Sequence, residues 1–347
     1  MKFSRAVSAI ILILFIISGT GCEENLNDFD LFTGNNAPVY FTKAPESIKK
    51  DESASLCFYC GKPVEGIKDH FLRPLAVVIS NSPQSRPQSG LQDACLVYEF
   101  PVKGEITNLL AFYNHPFTGD IGPIWSGSDF LLNLAEGKGA VLCHAGHSNQ
   151  AQDTDTTKIT SLNLISHPDY SWRIRNRKAP YNLYSSTEKL LEGNKTLSLY
   201  QTNKLLGLFK FQTESKNTQP NLNRIDIIFN PNYKVTYLYN EITSDFVRLV
   251  NDKEHTDVNT NTAIIVKNLI IMSTNITDIE ALDSIGDQLK GNGDGLLVNC
   301  GNIYRIRWDK KINTPTKFYW NNGREITLNP GNTWIHITSP QNKVIVN

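Results

Sequence analysis

Leu75-Ala76-Val77-Val78-Ile79-Ser80 is an unbroken apolar run, followed by Asn81-Ser82-Pro83 and the turn-rich Arg86-Pro87-Gln88-Ser89-Gly90. An apolar run this short, closed by turn residues, reads as a buried strand. Cys95 to Phe100 and Ile106 to Tyr113 read as a second and third strand, paired through a turn at Lys103-Gly104. Ser126 or Ser128 then caps a helix running to about Glu136, with Phe130, Leu131 and Leu134 on one face. Ala140 to Cys143 is a further short strand. From Arg224 onward strands dominate, among them Ile225 to Phe229, Val235 to Asn240, Asp245 to Val250, Ala263 to Met272, Leu296 to Cys300, Ile303 to Trp308 and Thr333 to Thr338. Turns such as Asn321-Asn322-Gly323 separate them. The predicted class is α+β: an N-terminal α/β portion with a mixed sheet, then a mainly antiparallel β C-terminal portion.

Upstream, Lys2 and Arg5 precede an apolar run from Ala6 to Ile17, interrupted only by Ser8. The run is shorter than the roughly 20 residues a transmembrane helix needs, and a charged start with a short apolar core is the pattern of a secretory signal. Ser18-Gly19-Thr20-Gly21-Cys22 follows, small residues ending at a cysteine, as in a lipobox that is cut before the cysteine and lipidated on its thiol. Gly19 stands where such boxes usually carry Leu, Val or Ile. The alternative is an ordinary cleaved signal with an incidental cysteine. The polar stretch from Glu23 to about Asn36 suits a solvated tether. Four segments result: a signal peptide over 1–21, the lipidated N-terminus and tether over 22–70, and two body domains over 71–222 and 223–347.

Lys plus Arg and Asp plus Glu number 34 each in the 347 residues. That balance gives no field to draw in nucleic acid, which is set aside as a partner. Cys57 and Cys60 form a C-x-x-C before Gly61, either half of a zinc site or a short-loop disulfide. No second C-x-x-C exists, and outside the cytoplasm the disulfide is the expectation, with neither metal nor cofactor. Cys95 and Cys143 lie in apolar runs and read as buried thiols.

Several segments carry a resemblance: Arg73-Pro74-Leu75 through Asn81, Arg86 to Leu91, Val97-Tyr98-Glu99, Ile121-Gly122-Pro123-Ile124, His144-Ala145-Gly146, Arg177-Lys178-Ala179-Pro180 with Asn182, and Leu328-Asn329-Pro330-Gly331-Asn332-Thr333-Trp334. In this order and spacing they resemble the YerB-like lipoproteins, a family of unknown function. The resemblance implies a two-part body on a lipid anchor and supplies no reaction. Asn108, Trp125 and Ser128 stand where relatives commonly carry arginine, and Tyr181 where they carry histidine. Arginine suits bidentate recognition of anions, so an anion site, if the family has one, is altered here.

The polar groups shared with that pattern are the ligand-binding candidates: Asn81, Arg86, Glu99, His144, Ser148, Arg177 and Asn182. They fall in loops or at strand ends, where ligand sites form on a rigid sheet. Convergence on one face would make them a single site; the competing reading has each serving its own turn, with Glu99 and Arg177 in structural ion pairs. Catalytic residues stay unassigned, because G-x-S-x-G, Walker and H-E-x-x-H motifs are missing. Two functions remain. One is an envelope module binding a wall polymer, a peptide or a surface protein, at a membrane outside the cytoplasm. The alternative is an envelope glycan hydrolase or transferase with Glu99 and His144 as acid and base.

Overall fold

The computed structural model describes residues 31–33, 39–44, 56–63, 73–102, 106–146, 161–199, 208–212, 220–276, 289–311 and 314–347. The signal segment, Cys22 and Ser148 lie outside the described residues. No helix among the described residues is long and apolar enough to cross a membrane.

The Leu75 run is strand β1 (Leu75–Ser80), with every residue buried. Burial on both faces explains why its sequence is continuously apolar and does not alternate. β2 (Leu96–Val102) and β3 (Ile106–Tyr113) pair antiparallel, and β3 pairs with β1. Helix α1 (Asp129–Glu136) follows, capped by Ser128, whose hydroxyl accepts from the Leu131 N–H at 3.3 Å. β4 (Val141–His144) and β5 (Ser161–Asn163) add parallel strands beyond β1, and α2 (Thr187–Thr196) completes the N-terminal part.

β6 (Arg224–Asn230), β7 (Tyr233–Asn240) and β8 (Asp245–Val250) then form an antiparallel meander. Next come β9 (Asn268–Ser273), β10 (Gly291–Asn299), β11 (Asn302–Lys310), β12 (Lys317–Trp320), β13 (Thr333–Thr338) and β14 (Lys343–Val346). A ten-stranded mixed sheet has the order β12-β11-β10-β9-β13-β2-β3-β1-β4-β5. A smaller sheet carries β14-β6-β7-β8 with short flanking strands.

This architecture bears out the sequence reading in part. The protein is mostly sheet, with two α-helices among the described residues, both in the N-terminal part, so the α+β class holds only roughly, and the expected mixed sheet is the large one. The C-terminal chain builds most of the small sheet and also enters the large one: β13 lies parallel to β2, so both parts of the chain share the large sheet. The predicted strand from Ala263 to Met272 is broken for a related reason. Ile265–Val266 pairs with β8 in the small sheet, whereas β9 belongs to the large one. Lys267, polar within the apolar run, stands where the chain passes from one sheet to the other.

Apolar residues fill both faces of the large sheet. Val77, Ile79, Val97, Leu109 and Ala111 pack with Ile227, Val235 and Phe246 of the small sheet. On the opposite face Val78, Tyr98, Leu110 and Phe112 pack with Phe130 and Leu131 of α1 and with Cys57, Tyr59 and Cys60.

Candidate functional site

Glu99 lies on β2 within the layer between the two sheets, and its side chain has no exposed surface. Arg248 reaches it from β8, with Nη2 donating to Oε2 at 2.8 Å. The other carboxylate oxygen, Oε1, accepts from the Tyr233 hydroxyl at 2.6 Å and the Thr107 hydroxyl at 2.7 Å. Asn81 Nδ2 donates to both of those hydroxyls, at 2.6 and 2.7 Å. Burial alone would raise the Glu99 carboxyl, but Arg248, His336 and the two hydroxyls outweigh it and hold the group below the usual carboxylate range.

The guanidinium of Arg248 is satisfied all round. Nη1 donates to the Tyr237 hydroxyl at 2.6 Å, Nε donates to His255 Nδ1 at 3.0 Å, and the Trp334 ring lies 4.3 Å from its centre. Because arginine only donates, His255 Nδ1 must accept, and the proton sits on Nε2. Nε2 then donates to Gln88 Oε1 at 2.7 Å, and Gln88 Nε2 donates to Asn81 Oδ1 at 3.0 Å, closing a ring of bonds back to Glu99. His336 stands beside Glu99 across the β13–β2 pairing, with Nδ1 at 3.5 Å from Oε2, and Tyr237 bonds its Nε2 at 2.7 Å. Burial pushes His336 down to about 3 and His255 well below its ordinary value, so both are neutral.

Of the residues expected to share a site, Asn81 and Glu99 meet in this network. Arg86 lies at its margin, with its guanidinium 5.2 Å from the centre of the Tyr233 ring. The others are elsewhere. Glu99 pairs with Leu109, and Leu109 with Ile79; Val77, on the same face as Ile79, pairs with Cys143. Paired residues share a face and successive residues alternate, so His144 points to the opposite side of the sheet from Glu99. Its Nδ1 bonds the Gly146 carbonyl at 2.7 Å and its Nε2 the Ser161 hydroxyl at 3.0 Å. Arg177 donates to the carbonyls of Gln84, Ser85 and Pro87, holding the loop after β1. Asn182 Oδ1 accepts from Arg173 at 2.6 Å.

The positions that depart from the family pattern have local roles. Trp125 and Tyr181 stack on each other, with centroids 5.3 Å apart and planes 3° apart. Ser128 caps α1. Asn108 is buried on β3, its Oδ1 without a hydrogen-bond partner among the described residues.

The cysteines differ from the disulfide expectation. Cys57 and Cys60 are free thiols, and Cys95 and His115 join them, all four ligand atoms lying within 4.8 Å of one another. Cys95 is thus not only a small hydrophobe in the core. Hydrogen bonds with Cys60 and Cys95 draw the Cys57 thiol below its ordinary range.

A cleft of about 280 Å³ opens beside this cluster, lined among others by Lys62, Gln92, Asp93, Asp245, Lys267 and Asn332. Its walls come from both parts of the chain, and Lys267 and Asp245 face each other across 3.0 Å.

The profiles of a protein of unknown function (DUF3048) match this chain twice, its N-terminal domain at residues 61–200 and its C-terminal domain at 225–335. The chain belongs to the DUF3048 family. It is 30% identical over 280 residues to the Bacillus subtilis (strain 168) protein named "Putative lipoprotein YerB", covering 76% of this chain and 81% of the relative. The crystal structure of YerB protein from Bacillus subtilis has the same fold, with a TM-score of 0.70 at 24% identity over 84% of this chain and 99% of that one.

Sequence reasoning missed Arg248, Tyr233, Gln88, His255, His336 and His115. Arg248 does leave a trace. It shares its strand phase with the inward Phe246 and Val250, so a charge falls on the apolar face of Asp245–Val250.

Proposed function

We propose that the protein is an exported lipoprotein, held at a membrane through a lipid on Cys22, whose body binds an envelope ligand in the cleft between the two parts of its chain. The observation that carries this reading is the lining of that cleft. Lys62 and Lys267 stand with Asp93 and Asp245, and Gln92 and Asn332 add amides. Both charges together with amide donors and acceptors suit a peptide, or a wall polymer that carries peptides, and junctions between structural units are common places for such sites. The anchor is supported by the charged, apolar and small-residue sequence that ends at Cys22, and by the lipoprotein name of the Bacillus relative.

The hydrolase alternative has less support. A catalytic acid and base must reach the reacting atoms, whereas Glu99 is sealed between sheets in an ion pair and His144 points away from it. The test is co-purification of ligands from envelope extracts with the intact protein, read by mass spectrometry. It compares the natural protein with a variant carrying Lys62→Glu and Asp93→Lys, two exposed cleft residues. Loss of the captured ligand from the variant is the expected result. Equal capture by both proteins places binding elsewhere and overturns the reading.

A further inference from the structure

Cys57 and Cys60 lie on the segment 56–63, Cys95 directly precedes β2, and His115 closely follows the end of β3. β2 and β3 are antiparallel, so the start of one and the end of the other sit at the same end of the hairpin. The segment 56–63 lays its two cysteines against that end. We propose that Cys57, Cys60, Cys95 and His115 bind one Zn²⁺ as a closed four-coordinate site that clamps the segment 56–63 onto the large sheet.

The ligand spacing fits. Tetrahedral zinc with Zn–S near 2.3 Å and Zn–N near 2.0 Å places its ligand atoms roughly 3.5–3.8 Å apart. The four atoms here are within 4.8 Å of one another, and Cys60 Sγ lies 3.3 Å from His115 Nε2. Small shifts admit the ion.

The surrounding bonds fit as well. Gly61 adopts φ +64°, a left-handed conformation that glycine takes without strain, and its N–H bonds the Cys57 carbonyl at 2.8 Å. This turn points both sulfurs to one side. The Tyr59 N–H lies 3.4 Å and the Asn114 amide 3.5 Å from Cys57 Sγ, so donors are aimed at a sulfur that would carry negative charge. Donors of this kind orient metal ligands and tune their basicity.

The donor set points to zinc over other partners. Three thiols and one imidazole match a Cys₃His structural site. A disulfide would join two sulfurs and leave the third thiol and the imidazole beside it without a role. Binding releases to water the protons that the four ligands still carry, so Zn²⁺ with three thiolates and a neutral imidazole carries one net negative charge, and no redox step is needed. Cys60, Cys95 and His115 also line the open cleft, which gives the ion an entry path. With all four positions filled by protein, no coordination site is left for a reacting water.

The full chain, purified in mild detergent with reducing agent and stripped of metal by a chelator, tests this by titration with Co²⁺ under nitrogen. The result expected is one Co²⁺ per chain, with the thiolate charge-transfer absorption and strong visible bands of a tetrahedral sulfur-rich site, displaced by one equivalent of Zn²⁺. Even groups that only orient a ligand are worth about 10–100-fold in affinity, so His115→Ala and Cys57→Ser should each weaken binding by more than that. Cys143→Ser and Cys300→Ser, which alter buried thiols outside the cluster, should leave it unchanged. Circular dichroism checks that the variants fold, and His115, which is half-buried, is the gentler change. A natural protein without a tetrahedral cobalt spectrum, or a spectrum unaltered by His115→Ala and Cys57→Ser, overturns the proposal. So does a complete Cys57–Cys60 disulfide in the protein as isolated, found in unreduced peptides.

Discussion

Glu99 and Arg248 are 149 positions apart in sequence and 2.8 Å apart in space, and neither side chain has exposed surface. One comes from the large sheet and the other from the small one, so the pair joins the two layers through the apolar core. Removing two charges from water costs several kcal/mol per ion unless the remaining donors and acceptors are also satisfied. Here Tyr233, Thr107, Tyr237 and His255 satisfy them, and Trp334 covers the guanidinium face.

Acid should weaken this junction. Burial holds His336 at about 3 and His255 well below the ordinary value of 6.5, whereas both return to about 6.5 in the unfolded chain. Below that value the unfolded chain takes up protons that the folded one refuses, so stability present at neutral pH is lost as pH falls. Each such histidine adds a slope of about 1.4 kcal/mol per pH unit until its folded value is reached. Glu99, held below its unfolded value, adds to the loss from about pH 4.3 downward. Thermal melts should show Tm falling steadily from about pH 6.5, and a Tm that is flat between about pH 7 and pH 5 would contradict the buried neutral histidines.

Arg177→Ala should loosen the loop after β1, because three carbonyls lose their donor at once. The residue is only half-buried, so the global cost should be about 1–2 kcal/mol. Hydrogen exchange is the direct probe: residues 82–90 should exchange faster while β1 stays protected. An unchanged exchange pattern would remove this clamp from the account.

Cys22→Ser should leave the protein unprocessed or release it from membranes, because thioether formation needs the thiol. One acyl chain gives only marginal binding, so full retention of the natural protein implies more than one. A correctly cleaved Cys22→Ser protein that still fractionates with membranes would show that the lipid on Cys22 is not the anchor.

Much of the frame was legible in the sequence because local chemistry sets it. The apolar Leu75 run is β1, β2 and β3 pair antiparallel, with the expected Lys103-Gly104 turn outside the described residues, and Ser128, one of two cap candidates, begins α1. Long-range pairing was not legible. Nothing near Thr333 says that this strand inserts beside Leu96, and so the shared sheet was missed. The same limit governs the polar residues. Glu99 and Asn81 stand out in an apolar setting, but their partners Arg248 and His336 lie in strands that read as core, and only the register across two sheets brings them together. His115 lies 20 residues beyond Cys95 and joins it only because a hairpin folds the two ends together.

Glu99 is part of the scaffold and not an acid or base, and equilibrium unfolding of Glu99→Gln tests that directly. The substitution keeps the shape and leaves Arg248 buried with no counter-charge. A loss of about 3–5 kcal/mol is predicted, the usual cost of breaking a buried pair by removing one partner. Unchanged or increased stability, the pattern common when a strained catalytic group is neutralised, together with loss of function, would contradict it.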